Sequence, residues 1–187
     1  DICAIGVTGQ GDGCWLIDEE GEPVRPAILW SDGRAGDLIA RWQAEGISEN
    51  AYKILGSALF PGVQAAIIKW LDENEPETLA KSRRALYCKD WLKYKLTGEI
   101  TTDETDGCVP HFDIAKRQYS EELLKMYGTV KYRYLLPPVK TPLENYAPLT
   151  DEAASLLGLP SGIPVVGGPF DVIATATGVG AIHPGDA

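Results

Sequence analysis

The stretch Ile163-Pro164-Val165-Val166-Gly167-Gly168-Pro169-Phe170-Asp171 carries most of the information about this chain. Residues 163–166 predict a short strand, and residues 172–179 are small and apolar, which predicts a tightly packed helix. The two glycines between them allow close backbone approach. A carboxylate at the start of a helix is stabilised in its charged form by the helix dipole and free N–H groups, so Asp171 is a candidate general base. The alternative is that Asp171 only caps the helix.

A second glycine-rich loop follows the apolar segment 2–7, which predicts a buried strand. Gln10 and Asp12 lie in this loop, where ligand groups of open α/β sheets are usually found, and both can accept hydrogen bonds from hydroxyl groups. The alternative is an ordinary turn. The spacing of Gly9, Gly11 and Gly13 does not match a dinucleotide-binding motif, and no phosphate-loop lysine follows.

A third candidate is Trp30-Ser31-Asp32-Gly33-Arg34, at the end of another predicted strand. The Trp30 ring could stack on a sugar face while Asp32 and Arg34 bind hydroxyl groups. The alternative is a buried Trp30 beside a helix cap and a surface arginine. The other tryptophans singled out lie on apolar helix faces, where we expect core packing: Trp42, Trp70 and Trp91.

Strands alternate with helices along the chain, which predicts an α/β fold. A hairpin is expected from strands 14–18 and 23–30 around residues 19–22, forming a sheet edge with strand 2–7. Asp32 is expected to cap the next helix, and residues 101–113 to form a loop or irregular strand. The further predicted elements are helices at 33–44, 47–55, 64–74, 89–96, 121–127 and 150–157, and a strand at 84–87.

Composition and charge restrict the function. The 187 residues are 44% hydrophobic and carry a net charge of −10, so nucleic acid and anionic membrane surfaces are not expected partners. No apolar run reaches the roughly 20 residues of a membrane span, and the first residues lack a signal peptide. Four scattered cysteines predict reduced thiols and a cytoplasmic protein. Two distant histidines, His111 and His183, give no metal-ligand spacing, and Asp103 and Asp106 near His111 do not add one.

Taken together and in order, these segments resemble the FGGY family of carbohydrate kinases. A segment at residues 70–76 also resembles a family signature, although Ile67 stands where a lysine is usual. The resemblance spans nearly the whole chain and rests on residues 5–10, 27–35, 96–99 with 102–103, 136–139 and 167–171.

The resemblance implies an α/β domain of the ribonuclease H-like, actin-like ATPase superfamily, with a mixed sheet flanked by helices, incomplete at both ends. It implies ATP-dependent phosphorylation of a sugar or polyol, with Mg²⁺, and Asp171 as the general base. It places Gln10, Gly11 and Asp12 against substrate hydroxyls and Trp30 as an aromatic wall of the sugar site. The Gly-Asp-Gly loop and Val172 indicate the branch acting on L-xylulose or erythritol.

The resemblance also implies that residues 1–187 are a partial N-terminal sugar-binding domain, without the first phosphate loop and the C-terminal nucleotide domain. ATP and Mg²⁺ would then be bound mainly by missing parts. Expected partners are a small sugar or polyol, ATP and a second copy in a homodimer. Two alternatives stay open: a non-catalytic carbohydrate-binding or regulatory module, and an actin-like chaperone ATPase.

Overall fold

The computed structural model describes residues 2–186, and alternating strands and helices make up its architecture. The strands are β1 (Ile5–Val7), β2 (Trp15–Ile17), β3 (Arg84–Leu86), β4 (Thr102–Asp103), β5 (Phe112–Asp113), β6 (Gln118–Tyr119), β7 (Val139–Lys140), β8 (Tyr146–Pro148) and β9 (Pro164–Gly167). The helices are α1 (Gly36–Ala44), α2 (Ile47–Leu55), α3 (Gln64–Asn74), α4 (Pro76–Ala80), α5 (Cys88–Thr97), α6 (Glu104–Gly107), α7 (Glu121–Tyr127), α8 (Asp151–Leu157) and α9 (Asp171–Gly178), with a 3-10 helix at Val130–Leu135.

A mixed three-stranded sheet organises the part of the fold that carries the glycine-rich loops. Its strand order is β1-β9-β8. Strands β1 and β9 run parallel, with Val7 opposite Gly167, whereas β8 pairs antiparallel with β9. The carboxyl ends of β1 and β9 therefore lie side by side at one edge, and the loops that follow them must meet.

Smaller sheets and the helices build the rest. Strand β2 pairs antiparallel with β3, β4 pairs parallel with β7, and β5 pairs antiparallel with β6. One hydrophobic cluster unites α1, α2, α3 and α7, a second lies between α3 and the β2–β3 pair, and a third packs β1 and β9 against α8. The helix α3 contributes to the first two clusters, and six of its eleven residues are buried.

Helix ends follow the expected chemistry at several places. Ser120 and Thr150 accept hydrogen bonds from the first turns of α7 and α8. Gly98, Gly128 and Gly158 end α5, α7 and α8 in the left-handed conformation that glycine adopts at low cost. The predictions for these three helices are confirmed to within a few residues.

The predicted helix 33–44 starts later than expected, at Gly36, and Asp32 does not cap it. The Asp32 carboxylate instead accepts hydrogen bonds from the backbone N–H of Arg34 and from its guanidinium, each at 2.9 Å. Because the Arg34 guanidinium binds the Asp32 carboxylate, Asp32 does not cap the helix.

The predicted hairpin is only partly correct. Cys14 bridges Ile28 and Ile17 bridges Pro23, but residues 23–30 form no regular strand, and the regular partner of β2 is β3. Pro23 and Pro26 lack the backbone N–H that a continuous ladder requires, which explains the break. The hairpin pairs with β3 and not with β1, so the expected common sheet edge is wrong.

Two further segments differ from the sequence-based expectation. Pro76 ends α3 and also begins α4, since proline is favoured in the first turn of a helix. Residues 101–113, expected to be irregular, contain β4, α6 and β5. The helix after Asp171 forms as predicted. The prediction that it is tightly packed is wrong among residues 2–186, where none of its residues is buried and Val172 is 62% exposed.

Candidate active site

A cavity of about 220 Å³ lies at the edge where β1 and β9 end. It brings together five of the residues expected to bind substrate or act in catalysis: Gln10, Gly11, Asp12, Trp30 and Asp171. Phe170 and Val172 complete its lining. The residues that form it are Gln10, Gly11, Asp12, Trp30, Phe170, Asp171 and Val172.

Backbone hydrogen bonds tie the two loops to each other. The N–H of Gly168 donates to the carbonyl of Val7, and the N–H of Asp171 donates to the carbonyl of Gly9, each at 2.8 Å. The Thr8 hydroxyl donates to the carbonyl of Pro169 at 2.7 Å. These bonds extend the parallel β1–β9 pairing beyond the strands and fix the position of Asp171 relative to the Gln10 loop.

Asp171 is the first residue of α9, and its side chain is exposed at the cavity. Its Oδ1 accepts the N–H of Val172 at 2.8 Å, which satisfies one of the free donors of the helix N-terminus. This bond orients the carboxylate and leaves its other oxygen free to accept a hydrogen bond. Phe170, and not Asp171, is the N-cap residue of α9.

Asp12 is the second carboxylate of the cavity, and its surroundings are different. It has a positive φ of 57°, and its buried Oδ1 has no hydrogen-bond partner among residues 2–186. Burial raises the pKa of Asp12 from 3.8 to about 7. Near neutral pH this side chain can either donate a hydrogen bond to a ligand hydroxyl or accept one.

Trp30 forms an exposed wall of the cavity, with 51% of its surface accessible. A Cβ at Gly62 would lie only 1.7 Å from the Trp30 carbonyl oxygen, so only glycine fits beneath it. The Gly62 carbonyl also accepts the N–H of Gly13 at 3.0 Å, which links this support to the Asp12 loop. Gly11 is restricted in the same way, because a Cβ there would lie 2.6 Å from the Phe170 ring.

Asp32 and Arg34 do not reach the cavity, which corrects the expectation that they bind ligand hydroxyls. They pair with each other, and the Arg34 guanidinium lies 5.0 Å from the centre of the Trp70 ring. The side-chain hydrogen bond from Arg34 lowers the pKa of Asp32 despite partial burial. Trp42 is a core residue as predicted, at 3% exposure, whereas Trp70 and Trp91 are only partly buried.

A buried group of charges lies behind the cavity, and the sequence did not reveal it. The Lys89 ammonium pairs with Asp90, Asp103 and Asp106, and all four side chains are buried. Burial opposes the charged form of Lys89, but the three carboxylates outweigh it and raise its pKa. Burial, opposed by Lys89, also raises the pKa of Asp106 well above its ordinary value. The only sequence signal was a lysine beside an aspartate, which ordinarily indicates a solvated helix face.

Two features concern the binding of metal and of phosphate. Among residues 2–186 no group of three or more His, Cys, Asp or Glu side chains is placed to hold a metal ion, and the Lys89 ammonium already occupies the buried carboxylate cluster. The backbone N–H groups of Gly167, Gly168, Phe170 and Asp171 all donate to groups of this chain, so this turn has no free donors for phosphate.

Two other observations concern the expectations about location and metals. Between residues 2 and 186, no helix has both the length and the apolar character required to cross a membrane. His111 is buried, with neither ring nitrogen hydrogen-bonded, and burial lowers its pKa to about 3. The four cysteines are free thiols.

Comparison with known proteins identifies the family. Residues 1–178 match the N-terminal domain of the FGGY family of carbohydrate kinases. The chain is 37% identical to an erythritol kinase of Brucella abortus, over 95% of this chain and 34% of that protein. It is 35% identical to the L-xylulose/3-keto-L-gulonate kinase of Escherichia coli, over 94% of this chain and 35% of that protein.

Solved structures show the same relationship. The xylulose kinase of Rhodospirillum rubrum superimposes with a TM-score of 0.89 and 31% identity, over 99% of this chain and 38% of that one. The likeness confirms the predicted ribonuclease H-like α/β fold. The chain spans about a third of the length of the relatives it matches. On this match of sequence and fold, the chain belongs to the FGGY family of carbohydrate kinases.

Proposed function

We propose that residues 1–187 form the sugar-binding domain of an ATP-dependent carbohydrate kinase, in which Asp171 is the general base. The observation that carries this proposal is the shared cavity, where Asp171 faces hydroxyl-binding groups on Gln10 and Asp12 and the aromatic face of Trp30. A base, polar acceptors and an aromatic wall are the parts needed to hold a polyhydroxy compound and activate one of its hydroxyls.

The chemistry on the sugar side follows from the geometry of Asp171. Its Oδ1 is held by the N–H of Val172, which keeps the carboxylate oriented and leaves Oδ2 for the substrate. When a hydroxyl of the bound sugar attacks a phosphoryl group, its proton passes to the carboxylate. Phosphoryl transfer depends mainly on positioning, so a carboxylate that orients this hydroxyl would contribute even before the proton moves.

The substrate we propose is a four- or five-carbon polyol or ketose, such as erythritol or L-xylulose. Val172 supplies an apolar contact beside Asp171, so hydroxyl recognition depends on Gln10 and Asp12. The names of the two relatives, an erythritol kinase and an L-xylulose/3-keto-L-gulonate kinase, support the same class.

Kinases of this kind use ATP with Mg²⁺, and the Gly167–Asp171 turn offers a phosphate no free N–H donor. The donors of the Gly167–Asp171 turn are already used within the chain. We therefore assign residues 1–187 the sugar side of the reaction, as an N-terminal domain, and assign nucleotide binding to other parts of the enzyme.

The test is a panel of sugars and polyols given to the complete gene product that contains this chain, with ATP and Mg²⁺. We expect phosphorylation of a tetritol or pentulose in preference to glycerol and hexoses. In parallel, calorimetric titration of the 187-residue chain with Mg-ATP should show no micromolar binding. Sugar binding without any phosphorylation would favour a carbohydrate-binding module instead, and micromolar ATP affinity of the chain would reverse the domain assignment.

A further inference from the structure

The turn before Asp171, residues 167–170, leads directly into the proposed base and so determines where its carboxylate lies at the cavity. Both ends of this turn are hydrogen-bonded to side chains that in turn bind buried lysines.

One end of this turn is bonded to the buried Lys89 through two intermediate side chains. The N–H of Phe170 donates to the Thr105 hydroxyl at 3.1 Å. That hydroxyl donates in turn to Oδ1 of Asp103, which also accepts the N–H of Thr105 at 2.8 Å. The other oxygen of Asp103 accepts a hydrogen bond from the Lys89 ammonium.

The other end of the turn is bonded to a second buried lysine. The Lys93 ammonium donates to Oδ1 of Asn145 at 2.6 Å and also to the Thr101 hydroxyl. The Asn145 amide then donates to the carbonyl of Gly167 at 3.1 Å, and its backbone carbonyl accepts the N–H of Gly167 at 2.7 Å. A Cβ at Gly167 would lie 2.3 Å from the Asn145 amide nitrogen, so this close contact requires glycine.

The two lysines are one helical turn apart on α5, and their side chains point into the protein. Lys89 is 1% exposed and Lys93 is 2% exposed, although lysines are almost never fully buried unless they are paired. Their partners differ, since Lys89 meets three carboxylates and Lys93 meets a neutral amide and a hydroxyl. What they share is that each chain of hydrogen bonds ends on the backbone of the same turn.

We propose that Lys89 and Lys93 are positioning residues, which hold the two ends of the Gly167–Phe170 turn through Asp103–Thr105 and Asn145 and thereby fix Asp171 at the cavity. This inference rests on the proposed role of Asp171. Neither lysine touches the cavity, so both act on turnover through the turn and not through contact with the sugar.

The experiment removes the hydrogen bond between Thr105 and the turn while leaving Lys89 and Asp103 in place. In the complete gene product, Thr105→Val deletes the hydroxyl that receives the Phe170 N–H, and Thr105→Ser keeps it. We expect kcat to fall roughly 10–100-fold in Thr105→Val with the sugar KM within about threefold, because small misplacements of reacting groups cost about this much. Thr105→Ser should recover kcat to within about threefold.

A structural readout accompanies the kinetics. Hydrogen exchange of peptides covering residues 167–171 should be at least about tenfold faster in Thr105→Val than in the unmodified protein. The matched control is Thr150→Val, which removes a hydroxyl that caps α8 and has no contact with the turn. It should lose stability without changing kcat or the exchange of this turn.

A second variant tests the Lys93 side and covers the case in which Thr105→Val does not fold. Asn145→Asp retains an oxygen for Lys93 but loses the amide that donates to Gly167, so we expect the same loss of kcat and faster exchange. A folded Thr105→Val or Asn145→Asp protein with unchanged kcat and exchange would overturn the proposal. Asp171→Asn is measured in the same assay: if its kcat is also unchanged the proposed base is wrong, and if its kcat collapses only the positioning role fails.

Discussion

Helices α3 and α9 are both apolar, yet the structure uses them in opposite ways. In α3 six of eleven residues are buried, and the helix joins two hydrophobic clusters. Among residues 2–186 nothing buries a residue of α9, and its first residue is the proposed base. The comparison shows that apolar composition predicts a helix without predicting what covers it. Within these residues the packed helices provide stability, whereas the proposed site depends on hydrogen-bonded turns.

The largest expected effect is a difference in the free energy of unfolding between a variant of α3 and a variant of α9. Leu71→Ala in α3 removes a side chain that is 0% exposed, and should lower the free energy of unfolding by about 2–5 kcal/mol through lost burial and a new cavity. Val172→Ala in α9, where the side chain is 62% exposed, should change it by no more than about 0.5 kcal/mol. Urea unfolding of both variants measures this. A Val172→Ala loss as large as that of Leu71→Ala would show that α9 is packed after all.

The second prediction concerns the walls of the cavity. Trp30→Ala and Asp12→Ala should each raise the KM for the sugar by about tenfold or more, with kcat within about threefold, because both are proposed to bind the substrate and neither to contact the transferred group. Tyr52→Ala is a matched control, since Tyr52 is an equally exposed aromatic residue on α2, at 55%. Steady-state kinetics on the preferred sugar give the comparison. If Trp30 and Asp12 behave like Tyr52, the sugar binds elsewhere.

Much of the site could be predicted from the sequence, because its main parts lie in two short segments that follow adjacent parallel strands. Gln10, Gly11 and Asp12 follow β1, and Asp171 follows β9, so the strand order alone brings them together. Trp30 was predicted from its residue type. Its support by Gly62 was not, because nothing near Gly62 in the sequence indicates the close approach of the Trp30 backbone.

The parts that could not be predicted depend on contacts distant in sequence. Lys89 and Lys93 would ordinarily indicate a solvated helix face, and their buried partners Asp103 and Asn145 lie 14 and 52 residues away. The prediction that Asp32 caps α1 is wrong for a local reason, because the carboxylate binds the guanidinium of Arg34, two residues away.

The smallest expected effect is a dependence of stability on pH that originates at Asp12. Its pKa is raised from 3.8 to about 7 in the folded protein, so between these values the folded state keeps a proton that the unfolded state releases. The contribution of Asp12 to stability is therefore full below about pH 4 and is lost as the pH rises through about 7. Asp12→Asn removes this dependence.

Thermal unfolding of the unmodified protein and of Asp12→Asn at a series of pH values measures this dependence. We expect the melting temperature of Asp12→Asn to rise relative to that of the unmodified protein as the pH is raised from about 4 to about 8. Asp18→Asn, in the turn after β2 and outside the cavity, serves as the control. A pH-independent difference would mean that Asp12 is not protonated in the folded state at neutral pH.

The proposed function depends most on Asp171, so the turnover of an Asp171 variant is the most direct test. Asp171→Asn in the complete gene product should reduce kcat by roughly 10²–10⁴ with sugar affinity within a few-fold, the range expected when a general base is lost. Asp151→Asn is the matched control, since Asp151 is also an exposed carboxylate at the first position of a helix, α8, but lies outside the cavity. A large loss of kcat in Asp171→Asn alone is the predicted result, and equal turnover of the two variants would contradict the assignment of the base.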